Sequence, residues 1–392
     1  MSDGRAIPIS RPFLGDAERS AIQQPLADGW LVQGPRVAEF EHRVAAFCGA
    51  QHAVATTSCT TALHLSLAAL GAGPGDEIVV PAFTWIASAN VVEYVGARPV
   101  FCDIELDSFN LDPDALQASV GQRTAGVIAV HLFGRAADMT RIGAVAAARG
   151  LWVLEDAACA LGTRVGEAHA GTLGHAGCFS FHPRKSITTG EGGMVVTDDG
   201  KLAGLARSLR DHGASRSDRE RHLTPGGFRL AEFNQLGFNY RMTDLQGALG
   251  AAQMDRLEWI LAERSRQAAF YQTALRDLEW LRLPQAPAGE THGWQSFVCL
   301  YAPEQPTPTN VVALGERRDR MMAALEEEGI ATRPGTHSPP HSGFYRERYG
   351  ITADRFPRAR IAERLSIALP LFAGLTEPEL ERVADAVRRL GP

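Results

Sequence analysis

One lysine stands apart in this chain. The stretch Ser180-Phe181-His182-Pro183-Arg184-Lys185-Ser186-Ile187-Thr188-Thr189-Gly190-Glu191-Gly192-Gly193 reads as the end of an apolar strand, a single lysine, and a Gly-rich turn into the next strand. A lysine on a surface loop is ordinarily a solvated charge. This one lies in a segment with no other lysine, flanked by apolar runs, at the strand ends where α/β proteins bind ligands. An amine there can condense with an aldehyde, which no other side chain does. Burial and nearby positive charge are expected to lower its pKa and leave the neutral amine available. It would serve first as a Schiff-base partner and then as a general base.

Three further segments carry matching chemistry. Asp156, in Glu155-Asp156-Ala157-Ala158-Cys159, follows the apolar run Leu151–Leu154. A carboxylate at such a strand end is often a helix cap or a metal ligand. It can also keep a pyridine nitrogen protonated, which makes the ring an electron sink. Burial without a positive partner is costly, so a partly exposed cap is the alternative. Ser58-Cys59-Thr60-Thr61 precedes the helical run Ala62 to Leu70. Hydroxyls there cap the helix, and the same geometry binds phosphate through free amides and the helix dipole. Ser180 is placed to reach that phosphate. Trp85, in Pro81-Ala82-Phe83-Thr84-Trp85-Ile86-Ala87, is either core or a flat face for a pyridine ring. A lysine, a carboxylate, a phosphate-binding helix start and an aromatic face together suit pyridoxal 5'-phosphate.

These residues must be held by a sheet. Apolar runs at Asp76–Val80, Val100–Asp103, Gly126–Val130, Leu151–Leu154, Cys178–Phe181 and Gly193–Thr197 read as buried strands. Helical patterns such as Met139 to Arg149 lie between several of them, which predicts an α/β fold with a mostly parallel sheet. Gly71-Ala72-Gly73-Pro74-Gly75 precedes a strand and reads as a helix-to-strand turn. No GxGxxG opens a helix after a strand, which argues against a nicotinamide site. Beyond residue 250 the spacing predicts helix over Leu245–Leu278, strand over Gln295–Leu300, helix over Arg317–Glu328, and an amphipathic helix from near Pro378. A Pro-rich loop bears His337 and His341. Arg210–Gln235, rich in Arg, Ser, Asp and Gly, reads as an exposed loop. The expected division is a large α/β domain over 1–252 and a smaller α+β domain over 253–392.

Bulk properties narrow the class. The chain has 392 residues, is 45% hydrophobic and 21% charged, and carries a formal net charge of -6. That length exceeds one usual core, and the balance points to neither nucleic acid nor an anionic membrane as partner. No apolar run is long enough to span a bilayer, and MSDGRAIPIS lacks a signal-peptide core. The six cysteines (Cys48, Cys59, Cys102, Cys159, Cys178 and Cys299) form no CxxC pair. Neither a metal site nor a disulfide framework is indicated, and a cytoplasmic location is the expectation.

The ordered motifs resemble the DegT/DnrJ/EryC1/StrS family of sugar aminotransferases from about Gly34 to about Met254. The likeness rests on Gly34-Pro35-Arg36-Val37 with Phe40-Glu41, Ala62-Leu63-His64, Gly73-Pro74-Gly75-Asp76-Glu77, Val130-His131-Leu132-Phe133-Gly134 and Glu155-Asp156-Ala157-Ala158. It continues with Lys185 and its GEGG turn, and with Gly237-Phe238-Asn239-Tyr240-Arg241-Met242-Thr243-Asp244. The resemblance implies a fold-type-I enzyme, like aspartate aminotransferase, that works as a homodimer with shared sites. It implies that Lys185 anchors the cofactor, Asp156 pairs with the ring nitrogen, and Trp85 stacks on the ring. Ser58, Cys59, Thr60 and Ser180 would hold the phosphate, and Asn239 would reach that of the neighbouring subunit. Two positions depart from the family's pattern. Cys59 stands where Gly is usual, and Cys159 stands where a Gln commonly contacts the ring hydroxyl and the substrate. A thiol is the poorer hydrogen-bond partner.

The implied reaction is a ping-pong transamination that passes through the pyridoxamine form. L-glutamate would donate, and a nucleotide-linked ketosugar would accept, in amino-sugar assembly for O-antigens or antibiotics. His182, Arg241 and His337 would face substrate, or else are satisfied structural residues. Three alternatives stand beside this reading: an aminotransferase acting on a keto-cyclitol, a dehydratase of the same fold, and a non-catalytic regulator. The dehydratases typically carry His in place of the lysine that is intact here.

Overall fold

Six parallel strands and one reversed strand form the central sheet of the protein, seen in a computed structural model that describes residues 6–216, 230–352 and 354–392. In chain order the strands are β1 (His52–Thr56), β2 (Glu77–Pro81), β3 (Arg98–Cys102), β4 (Thr124–Val130), β5 (Trp152–Asp156), β6 (Arg164–Val165), β7 (Ala168–His169), β8 (Ala176–Ser180), β9 (Gly193–Thr197), β10 (Leu281–Arg282), β11 (Glu290–Thr291), β12 (Phe297–Tyr301) and β13 (Ser366–Leu369). The large sheet has the order β1-β9-β8-β5-β4-β2-β3, and β9 runs against both of its neighbours. Val127, Ile128, Val153, Leu154, Cys178 and Val195 are buried on it. Helices cover both faces, so these strands read as continuous apolar runs without alternation.

Local chemistry explains where the elements stop. Helix Met139–Arg149 begins where Asp138 accepts the Arg141 amide at 3.0 Å, and it ends at Gly150 with φ of 66°. Both are standard helix punctuation. The helical run expected over Leu245–Leu278 is two helices, Asp244–Met254 and Leu257–Ala274. Thr243 caps the first of them through Gln246. The expected division after residue 252 falls in the last turn of this helix.

The second sheet, β10-β12-β13, is antiparallel throughout. It packs with helices Leu257–Ala274, Val311–Glu327 and Glu377–Leu390 around Leu281, Phe297, Met321, Leu325, Leu380 and Val383. The N-terminal segment joins this layer. The Ile7 amide donates to the Gly329 carbonyl at 2.7 Å, and the Ala331 amide donates to the Ile7 carbonyl at 2.9 Å. Of the expected loop Arg210–Gln235, residues 217–229 lie outside the described residues; Arg210 ends the helix Gly200–Arg210. Among the described residues, no helix is long and apolar enough to cross a membrane.

One close approach ties sheet to helix. A Cβ on Gly193, the first residue of β9, would lie 2.3 Å from the Ser58 carbonyl oxygen and 2.6 Å from the Cys59 amide nitrogen. Both neighbours are backbone and cannot swing aside. Gly193→Ala is expected to cost about 1–3 kcal/mol through overpacking. Denaturant midpoints of variant and parent would check this, and equal midpoints would sink it.

Candidate active site

Parallel strands end at one edge of their sheet, and the sequence-selected residues collect there. Thr56, Pro81, Asp156 and Ser180 end β1, β2, β5 and β8, and Gly193 begins the reversed β9 on the same edge. Asp156 pairs in register with Cys178, and Ser180 pairs with Gly193. Gly193 in turn abuts Ser58 and Cys59. The helix start and the end of β8 are thus drawn together by the sheet itself.

Lys185 follows β8 by five residues and is half-buried. Its Nζ donates to Cys159 Sγ at 3.1 Å. Burial pulls the Lys185 pKa down, while Cys159, Cys59 and Asp156 push it up, and the net direction is up. This corrects the expectation of a lowered value. The amine is hydrogen-bonded to the Cys159 thiol, and the upward pushes of Cys159, Cys59 and Asp156 outweigh burial. The guanidinium of Arg264 donates to the Lys185 carbonyl at 3.4 Å.

Asp156 is 5% exposed and is not a surface cap. Ser88 donates to its Oδ2 at 2.7 Å, and the Ala158 amide donates to its Oδ1 at 3.2 Å. Its neighbour Glu155, on the opposite face of β5, accepts the amides of Gly171, Leu173 and Gly174, each at 2.6 Å, and His131 Nε2 at 2.7 Å.

Ser58 spends its hydroxyl on the cap, accepting the Thr61 amide at 3.2 Å. The amides of Cys59 and Thr60 open the helix Cys59–Ala69 with no intrahelical acceptor available. Burial, then Asp156 and Cys178, push the Cys59 thiol well up. Trp85 is 59% exposed, so it is not core. Its ring centroid lies 5.6 Å from that of His337. The His337 carbonyl accepts the Thr84 amide at 3.0 Å, which brings the C-terminal half of the chain to the site.

The remaining residues are placed less centrally. His182 Nδ1 accepts the Arg184 amide at 3.2 Å. Burial, with Lys185 and Arg184 nearby, holds its pKa below the usual value against Glu191. Arg241 is paired with Asp211 at 2.6 Å. Asn239 is exposed, and its backbone bridges to Asp211.

Sequence reasoning passed over three side chains. Ser88 and Thr84, four residues apart on one face, reach Asp156 as a pair. Arg264 is 2% exposed and binds only carbonyls among the described residues: those of Trp294 at 3.1 Å, Gln295 at 3.0 Å, Leu371 at 3.3 Å, and Lys185. Burial lowers its pKa to about 10. An arginine on an amphipathic helix reads as a surface charge, and nothing local distinguishes this one.

With this geometry in view, the comparisons with known proteins decide the family. The model of the DegT/DnrJ/EryC1/StrS aminotransferase family matches residues 12–388. The chain belongs to that family. It is 38% identical over 383 residues to the spore coat polysaccharide biosynthesis protein SpsC of Bacillus subtilis (strain 168), spanning 97% of this chain and 96% of that protein. The crystal structure of the aminotransferase TlmJ from Streptoalloteichus hindustanus superposes with a TM-score of 0.88 at 30% identity, covering 98% of both chains. Helicobacter pylori PseC, an aminotransferase involved in the biosynthesis of pseudoaminic acid, superposes at 0.89 and 25% identity, covering 98% of this chain and 99% of PseC. The fold is that of the aminotransferases expected from sequence, and the protein is an aminotransferase.

The charge balance at Lys185 makes a measurable statement. In cofactor-free protein, acylation of Lys185 should reach half its limiting rate above the ordinary lysine value of 10.5. Cys159→Ala removes one upward push and should move that half-point down. Peptide mass spectrometry across a pH series would read both, and an unmoved half-point would refute the pairing.

Proposed function

We propose that this enzyme moves an amino group from an amino acid, L-glutamate being the expected donor, to the keto group of a nucleotide-linked deoxysugar. The observation that carries the reading is the meeting of one amine, Lys185, with one buried carboxylate, Asp156, at a single sheet edge. The site fits pyridoxal phosphate. Among the described residues, Lys185 Nζ has only a weak sulfur partner, and Asp156 Oδ1 is bonded by a single amide at 3.2 Å. Bound there, the cofactor would supply a carbonyl carbon for the travelling nitrogen and an electron-withdrawing ring.

The chain's own residues have distinct tasks in this reading. Lys185 would anchor the cofactor, and its amine, once free, would serve as the base that moves a proton at the donor carbon. Asp156 would pair with the ring nitrogen and balance its charge. Trp85, exposed at the site, would offer a flat face to the ring. The Cys59 and Thr60 amides, the Thr60 and Ser180 hydroxyls and the capping Ser58 hold the phosphate at a helix start, where amides and dipole favour an anion. Cys159 stands beside Lys185 Nζ, where it would meet the incoming amine. His182, Arg241 and His337 line the approach, with His337 against Trp85. The sugar acceptor is supported by the polysaccharide role in the name of SpsC and by the pseudoaminic acid pathway of PseC.

A homodimer with shared sites completes the proposal. Trp85, Tyr94, Phe233 and Leu236 are 59%, 58%, 65% and 91% exposed, apolar side chains that a second copy would cover. Exposed Asn239 is placed to reach across to the partner's phosphate.

Two measurements test this. Nucleotide-linked ketosugars are screened with glutamate, and 2-oxoglutarate release is read; Lys185→Ala should abolish release. Turnover of keto-cyclitols alone would transfer the assignment to those ketones. Mixed Lys185→Ala and Asn239→Ala subunits should regain roughly a quarter of parental activity, because half the random pairs contain one intact site. No regain would exclude the shared site.

A further inference from the structure

The side-chain hydroxyls behind Asp156 are ordered in one direction. Ser88 donates to Asp156 Oδ2 at 2.7 Å. A hydroxyl has one proton, so Thr84 Oγ1, 3.0 Å from Ser88 Oγ, donates to Ser88. Both residues are buried, at 0% and 1% exposure. A helical Ser usually bonds back to a carbonyl of the preceding turn; Ser88 gives its proton to a carboxylate 68 residues away. The chain continues past Thr84. Its amide is held by the His337 carbonyl at 3.0 Å, and the Ser338 hydroxyl donates to the Ala82 carbonyl at 2.8 Å. Thr84 is thus held at its amide by residue 337 and joined through its hydroxyl to Ser88, which bonds Asp156, while Ser338 fixes the neighbouring Ala82.

We propose that Ser88 and Thr84 are positioning residues for amino transfer. They hold the Asp156 carboxylate in the orientation that would meet a bound ring nitrogen, and the Thr84 amide ties that pair to the seating of residue 337. The proposal rests on the reading of Lys185 and Asp156 given above. Two physical points support it. Donors to a carboxylate favour its charged form, and Ser88 sits in the first turn of helix Ala87–Tyr94, whose dipole favours an anion. Alanine and valine would fill the two buried positions without either hydroxyl.

The test uses the full chain loaded with pyridoxal phosphate. The visible absorbance of the cofactor at Lys185 is titrated with pH for the parent, Ser88→Ala, Ser88→Thr and Thr84→Val, and cofactor affinity is measured by equilibrium dialysis. A proton on the ring nitrogen withdraws electrons and acidifies the lysine–cofactor linkage. Loosening Asp156 should therefore raise the midpoint. Ser88→Ala is expected to shift it upward by roughly half to one pH unit and to weaken cofactor binding about tenfold. Thr84→Val should shift it in the same direction by less, and Ser88→Thr should restore the parental midpoint. A Ser88→Ala midpoint and affinity equal to the parent's would overturn the relay while leaving the role of Lys185 intact. A parent that gains no visible band with the cofactor would overturn the Lys185 reading and the relay with it.

Discussion

Strand alternation at Glu155-Asp156 is the constraint on which this site depends. Neighbouring residues on a strand point to opposite faces, so β5 ends by sending one carboxylate to each side of the sheet. Glu155 is fully buried and gathers three amides of the 171–174 turn together with His131. That turn leads directly into β8, which carries Ser180 and the lysine loop. Asp156 faces the site and is held by Ser88. A buried carboxylate without donors would cost several kcal/mol; here each has donors, and one of the two remains available to a ligand.

The electrostatics around Lys185 follow from the same edge. Its amine donates to the Cys159 thiol and is influenced by Cys59 and Asp156, while the buried guanidinium of Arg264 is turned toward four carbonyls of three segments. Arg264 binds the Lys185 carbonyl and those of Trp294 and Gln295, and Gln295 returns a bond to the Arg184 carbonyl at 3.0 Å. The lysine loop is thereby clamped through its backbone carbonyls, and neither bond engages the Lys185 side chain. Among the described residues, Cys159 supplies the single hydrogen bond of the amine, and its sulfur is a weaker partner than an amide would be.

Much of the fold was legible because both sheet faces are covered. Buried parallel strands become unbroken apolar runs, and β2, β4, β5, β8 and β9 each lie within two residues of where those runs place them. The elements passed over lack that signal. β1, His52–Thr56, is short and alanine-rich, and its partner β9 lies far along the chain. β13, Ser366–Leu369, follows helix Pro357–Leu365 without a loop. The break between helices Asp244–Met254 and Leu257–Ala274 contains neither Gly nor Pro, so the periodic pattern ran through it.

The amino-acid sequence by itself determined the chemistry. A single lysine in a Gly-rich turn, a carboxylate at a strand end and a hydroxyl-led helix start are local features, and their order along the chain marks the family. Tertiary structure decided what surrounds them. It drew the Lys185 pKa up by packing thiols and Asp156 around the amine, where sequence suggested cations. It buried Asp156 against Ser88 and Thr84, and it turned Arg264 inward. The reason is physical: reactivity of type belongs to a residue, but burial, partner and charge belong to contacts between segments tens to hundreds of residues apart.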